Sequence, residues 1–328
     1  MADDNSAIRP SPAHVVVCAC TCRRPEGLQN LLAGLAAQEF TRFTRPQSSI
    51  LIADNEVSKL NAQICHQFSQ NSSLPLIYVA VPERGISHAR NACLDRLPPD
   101  TDFLAFIDDD EIPASGWLQA LLQVQQQTGS DVVYGPVSPA FCSEAPQWIR
   151  DGGFFTKPRQ ADMLHNGQDI AFAATCNCLM KTKIVRDTAL RFDPAFAFSG
   201  GEDKLFFRQV KASGYRIAWA QHAVVRETVP PQRACLNYLL REAFRLGNVR
   251  LPVRLRLLAQ AGKIQRAKHL RAKTLLKSLR YILVGMGSML TSPLHPPVRR
   301  HFASSACKTA EGLGLLASLW GFRYRHYR

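Results

Sequence analysis

The run FLAFIDDDEI, residues 103 to 112, carries an apolar stretch into three consecutive aspartates. Phe103 to Ile107 offers no polar side chain to solvate them, so three neighbouring carboxylates at the end of a buried strand repel unless a cation relieves them. Carboxylates delivered at the carboxyl edge of a strand are one way α/β proteins hold a divalent cation over a ligand crevice. The oxygens are hard, which selects Mg²⁺ or Mn²⁺ over zinc. Alternation along an extended chain directs Asp108 and Asp110 to one side, with Asp109 opposite or turning toward a ligand. The competing reading is that the aspartates only end the strand and cap the next element.

A second acidic pair lies in FSGGEDKLFFRQVKASGYR, residues 198 to 216. Gly200 and Gly201 suit a tight turn, Glu202 and Asp203 the first turn of a helix, and Gly214 its end. The helix dipole favours acids there by about 0.3 to 1 kcal/mol, which alone explains them. A carboxylate on a rigid helix start is also a general base for an acceptor hydroxyl. In ERGISHARN, residues 83 to 91, Gly85 marks a turn and Arg90 lies beyond it, where a guanidinium suits a phosphate or a carboxylate. An ordinary amphipathic helix with a surface arginine is the alternative there.

These groups need a scaffold. HVVVCACTCRRPEGLQNLLAGL reads as strand, turn and helix, the opening of a doubly wound α/β unit. A second strand, Ser49 to Ala53, ends in Asp54-Asn55, whose acid suits hydrogen bonds from a nucleotide base or ribose. Cys18, Cys20 and Cys22 lie along the first strand and Cys176 and Cys178 are separated by a single residue, so the ten cysteines read as small buried hydrophobes rather than zinc ligands or disulfides.

Taken in order, residues 14 to 228 resemble the family 2 glycosyltransferases. The three aspartates and the GGED helix start carry the resemblance, with the ARN element in support. It implies a GT-A fold, a mixed, mostly parallel sheet flanked by helices, acting on nucleotide sugars with Mn²⁺ or Mg²⁺. By the same resemblance, Asp54 binds the donor base, Arg90 holds the nucleotide, and Thr21 stands at the first strand end. Asp108 and Asp109 contact the donor, Asp108 and Asp110 hold the metal, Asp203 is the catalytic base, and Glu202 shapes the acceptor side. Arg23 stands where an asparagine is common, and Asn55-Glu56 comes after Asp54 in place of an acid and a glycine. The tail lacks a QxxRW sequence, so one sugar per encounter is expected. The segments FDPAFAFSGGED, AQHAVVRETVPPQR and LREAFRLGN are most similar to enzymes that extend lipid-linked oligosaccharides in bacterial exopolysaccharide assembly of the succinoglycan type. A lipid-linked saccharide acceptor is implied. His222 is not assigned a role.

Charge divides the chain near Pro230-Pro231. Residues 1 to 228 hold 21 Lys and Arg against 24 Asp and Glu, and residues 229 to 328 hold 19 against 2. Leucines alternate with arginines and lysines over 251 to 290, and the uncharged stretch Tyr281 to Leu290 is too short to span a bilayer, which takes about 20 residues. A basic amphipathic region that lies on an anionic membrane surface is expected, with helices packed on the catalytic domain as the alternative. Ala303 to Trp320, with GFRYRHYR after it, adds an aromatic and cationic anchor. The domains expected are a disordered tail at 1–13, the catalytic domain at 14–228 and the basic helical region at 229–328. The polar start MADDNSAIRPSPAH has no signal-peptide pattern, so a cytoplasmic protein, peripheral on the inner membrane, is expected. A nucleotidyltransferase would share the paired aspartates but would not need a separate base at a helix start. A nucleic-acid-binding protein would explain the tail but not the acidic clusters.

Overall fold

The computed structural model describes residues 13–41, 44–158, 161–294 and 297–326. The tail expected at 1–13 falls, up to residue 12, outside the described residues. In chain order the elements are β1 (His14–Thr21), α1 (Pro25–Ala36), β2 (Gln47–Asp54), α2 (Lys59–Asn71), β3 (Leu76–Ala80), α3 (Ile86–Asp95), β4 (Phe103–Ile107), β5 (Glu111–Pro113) and α4 (Trp117–Thr128). Next come β6 (Val132–Tyr134), β7 (Val137–Phe141), α5 (Gln147–Arg150), β8 (Asn177–Lys181), α6 (Lys183–Thr188), α7 (Glu202–Ala212), β9 (Ile217–Trp219) and β10 (Val225–Val229). Three long helices close the chain: α8 (Leu236–Gln260), α9 (Ala267–Leu290) and α10 (Val298–Leu319).

Among the described residues, seven strands form one sheet in the order β3-β2-β1-β4-β8-β6-β9, and β5, β10 and β7 form a smaller one. β1 runs parallel to β2 and β4, whereas β8 lies antiparallel between β4 and β6. Val15 to Ala19 are buried because helices cover both faces, so β1 is a continuous apolar run rather than an alternating one. From β1 the chain builds outward through β2 and β3, then returns to place β4 on the other side. Such a reversal opens a crevice at the carboxyl ends of the strands. The register sets what lines it: Thr21 pairs with Asp54, Asp54 with Ala80, and Cys18 with Phe106, so Asp108 to Asp110 emerge beside Thr21.

The three-aspartate segment differs from its expected geometry. β4 ends at Ile107 and the aspartates occupy a turn before β5. Strand alternation therefore does not sort them, and Arg24 reaches Asp109 and Asp110 together.

The helical region is held by close backbone approaches. A Cβ on Gly247 of α8 would lie 2.1 Å from the Glu311 carbonyl oxygen of α10, and one on Gly314 of α10 would lie 2.0 Å from that of Phe244. Gly285 of α9 and Gly312 of α10 make a comparable crossing between those two helices. α8 also seats on the Gly200-Gly201 turn, where Arg245, Val249 and Val253 leave no free space for a side chain. Among the described residues no helix is long and apolar enough to cross a membrane. No disulfide forms among them, and Cys18, Cys65, Cys93, Cys176, Cys178 and Cys307 are buried.

Candidate active site

Helix α3 assembles the crevice. Its start is fixed by Asn55, whose amide donates to the Val81 and Glu83 carbonyls (3.1 and 2.7 Å) and whose Oδ1 accepts from the Gly85 N–H (2.7 Å). Gly85 sits at φ +122°, and a Cβ there would lie 2.5 Å from the Ala197 Cβ, so no other residue fits. Further along α3, Asn91 exchanges two 2.8 Å hydrogen bonds with the Phe192 backbone. Ser87 Oγ donates to the Asp193 carbonyl (3.0 Å). These bonds carry the 192–197 segment, and through it the glycine turn and α7, onto α3. Phe192 stacks on Phe206 of α7 (4.4 Å) and meets Phe106 of β4 edge-on (5.8 Å), locking both acidic motifs to one aromatic cluster.

Arg90 stands between those motifs. Its Nη1 donates to Glu202 Oε1, its Nη2 lies 3.6 Å from Asp108 Oδ1, and its guanidinium lies over the Phe192 ring. Glu202, expected on the acceptor side, is 2% exposed and directed at Arg90. Its Oε2 is buried with no hydrogen-bond partner among the described residues. Burial, against the pull of Arg90, pushes this carboxyl up to about 7. Asp203 is half-buried, accepts from the Lys204 backbone N–H (2.7 Å) and makes no ion pair among the described residues.

The aspartate turn is a network of charges. Asp109 is buried, and Arg24 donates to its Oδ1 at 2.7 Å. Burial outweighs Arg24 and raises its carboxyl to about 6. Asp110 Oδ2 meets Arg24 and Arg233, each at 3.1 Å. Asp108 has the most open side chain of the three, 37% exposed, and its carboxyl is raised by desolvation in the cleft and by Asp110, against Arg90. Its backbone N–H donates to Glu111 Oε2 (2.9 Å), and burial drives the Glu111 carboxyl well above its ordinary value. Residue types and spacing do not single out Glu111 or Asn55. Each directly adjoins an acidic residue that they do single out, and that adjacency is the signal that marks them. His222 is exposed.

Thr21 is buried at the end of β1 beside Asp109. The Asp54 carboxylate is engaged inside the fold, accepting from the Glu56 and Ser58 N–H groups (3.0 and 2.9 Å) and from the Tyr78 hydroxyl (2.8 Å). Arg23 and Glu56, both departures from the common family pattern, pair with each other at 3.1 Å.

Among the described residues no cluster of three or more His, Cys, Asp or Glu side chains has metal-ligand spacing. Asp108 and Asp110 still suit a hard dication. Mg²⁺ is commonly held by one or two carboxylates while phosphate and water oxygens complete its shell. The same pair, without thiolate or imidazole, does not suit zinc.

The chain is 36% identical over 235 residues to the succinoglycan biosynthesis protein ExoM of Rhizobium meliloti (strain 1021), covering 71% of this chain and 73% of that one. It is 23% identical over 228 residues to glycosyltransferase AglE of Haloferax volcanii, covering 70% of each. Among solved structures, the mannosyltransferase PcManGT of Pyrobaculum calidifontis, in complex with GDP-Man and Mn²⁺, superposes with a TM-score of 0.58 at 17% identity, over 95% of this chain and 88% of that one. The likeness shows a GT-A-like α/β fold, a mixed and mostly parallel sheet flanked by helices. The family model described as Glycosyl transferase family 2 matches residues 15–188. With that match and the ExoM relative, the chain belongs to glycosyltransferase family 2 and is a glycosyltransferase.

Proposed function

We propose that the enzyme is inverting and moves one sugar from a nucleotide-sugar donor to a hydroxyl of a lipid-linked saccharide in cell-surface polysaccharide biosynthesis. The observation that carries this reading is Arg90, whose guanidinium bridges Glu202 and Asp108 and so sets the GGED helix start against the aspartate turn. Asp203 adjoins Glu202 in the first turn of α7 and has no ion-pair partner among the described residues. It takes the proton of the attacking acceptor hydroxyl, a contribution of about 10² to 10⁴ in rate. Asp108 and Asp110 would hold Mn²⁺ or Mg²⁺, which when bound would neutralise charge on the donor diphosphate. Asp108 and Asp109 contact the donor, Thr21 and Asp54 shape its nucleotide end, and Arg90 holds Asp108 in place. The exopolysaccharide role of ExoM supports the acceptor class.

The helical region is proposed to lie on an anionic membrane surface, where a lipid-linked acceptor resides. Leu276, Leu279, Leu283, Met286 and Leu290 recur at helical spacing along α9, and Leu276, Leu283 and Leu290 are 68%, 69% and 84% exposed. Exposed Lys273 and Arg280 flank this stripe. An apolar stripe edged with cations suits the boundary between headgroups and acyl chains, whereas a nucleic acid would leave the leucines in water.

The test is nucleoside diphosphate release from a panel of nucleotide sugars with Mn²⁺ or Mg²⁺ and a lipid-linked saccharide extract, with the anomeric configuration of the product read by NMR. Metal-dependent release and an inverted product are expected. Release of pyrophosphate instead would identify a nucleotidyltransferase, and a retained configuration would remove the single-displacement mechanism.

A further inference from the structure

Arg233 reaches the aspartate turn from outside the segment matched by the family model, in the turn between β10 and α8. Its Nη1 lies 3.1 Å from Asp110 Oδ2, the oxygen that Arg24 also approaches at 3.1 Å. Its Nη2 donates to Glu227, a buried acid of β10 that also pairs with Lys157 at 2.6 Å. The guanidinium lies over the Tyr238 ring at 5.2 Å, and Tyr238 stacks on Phe155. Its Nε is buried with no hydrogen-bond partner among the described residues. A long, flexible side chain is thus held by an acid and a ring and directed at the aspartate turn.

Asp109, Asp110 and Glu227 face Arg24, Lys157 and Arg233. Were Asp110 to hold a dication, Arg24 and Arg233 would each lose one carboxylate contact while keeping Asp109 and Glu227. Two guanidiniums that converge on one carboxylate oxygen suit a further anion there. The diphosphate of a nucleotide sugar has the charge and the paired oxygens that a guanidinium fork binds best.

We propose that Arg233 is a catalytic residue that binds the donor diphosphate and stabilises the charge developing on it as the glycosidic bond breaks. The helical region then completes the active site. This inference rests on the crevice being a nucleotide-sugar site. It adds a residue that the acidic motifs do not predict.

The experiment is calorimetry on the full chain with UDP, UMP, GDP and GMP, with and without Mg²⁺, for wild type, Arg233→Gln and Arg233→Lys, each checked for folding by a thermal melt. Wild type is expected to bind one diphosphate more tightly than its monophosphate. A lost charged hydrogen bond predicts that Arg233→Gln weakens diphosphate binding by about 10- to 100-fold and monophosphate binding by no more than about 3-fold. Arg233→Lys is expected in between. Should the Gln variant melt early, the Lys variant carries the same comparison. Equal losses for the two nucleotides, or no loss, would reduce Arg233 to a structural prop and overturn the proposal while leaving the donor site intact. Absence of any nucleotide binding by folded wild type would overturn both the site and the proposal.

Discussion

Arg90 of α3 and Glu202 of α7 form a buried ion pair that joins residues 112 positions apart. Both side chains are almost fully withdrawn from water, so removing Arg90 leaves the Glu202 carboxyl buried without its cation. Loss of one partner of such a pair typically costs about 3 to 5 kcal/mol. Arg90→Ala is therefore expected to lower unfolding free energy by about that amount in urea titrations. A loss below about 1 kcal/mol would mean that the pair does not hold the two motifs together.

Burial of Glu202, against the pull of Arg90, sets a pH dependence. Glu202 titrates at about 7 in the folded protein against 4.5 ordinarily, so the native state binds its proton more tightly than the unfolded chain. Its contribution to stability is fully present below about 4.5 and is lost as pH rises through about 7. Wild type should accordingly lose stability relative to Glu202→Gln as pH rises from 4.5 to 7. Melts at several pH values measure it, and a wild type that gains on the variant over that range would contradict the burial argument.

The acidic and glycine motifs that the fold brings together were legible because each is local in sequence. Asp108 to Asp110 end an apolar run, Gly200 and Gly201 precede an acidic helix start, and Gly85 with Arg90 marks a turn and a helix, so residue type and spacing sufficed. Their partners were not legible. Arg24 lies 85 residues from Asp109 and Arg233 lies 123 from Asp110, separations over which periodicity carries no information. The direction of each aspartate was hidden for a related reason. Alternation applies to extended chain, and these residues lie in a turn. Asn55 reads in the sequence as a departure from a pattern, yet it fastens the start of α3.

Arg23 and Glu56 pair at 3.1 Å beside the Asp54 loop. Both are partly exposed, so their bond contributes only about 0 to 1 kcal/mol to stability. Glu56→Ala should melt within a few degrees of wild type while shifting the ratio of KM values between uracil- and guanine-bearing donors by several-fold. An unchanged ratio would separate this pair from donor recognition.

The α9 stripe predicts vesicle binding that depends on leucines as well as charge. Burial of one such side chain contributes about 1.5 to 3 kcal/mol, so Leu276→Asp, Leu283→Asp and Leu290→Asp together should abolish flotation with phosphatidylglycerol vesicles at moderate salt. All three positions are exposed, so the fold should survive the changes, and a melt checks it. Flotation that persists in the triple variant would place the contact elsewhere.

The most direct test of the central claim compares Asp203→Asn with Asp110→Ala in donor turnover and in donor binding. Asp203→Asn should lose about 10² to 10⁴ in kcat with donor affinity nearly intact, because a base acts on the acceptor proton and not on the donor. Asp110→Ala should lose metal-dependent donor binding as well. Near-wild-type turnover by Asp203→Asn, in protein shown to be folded, would contradict the assignment of the catalytic base.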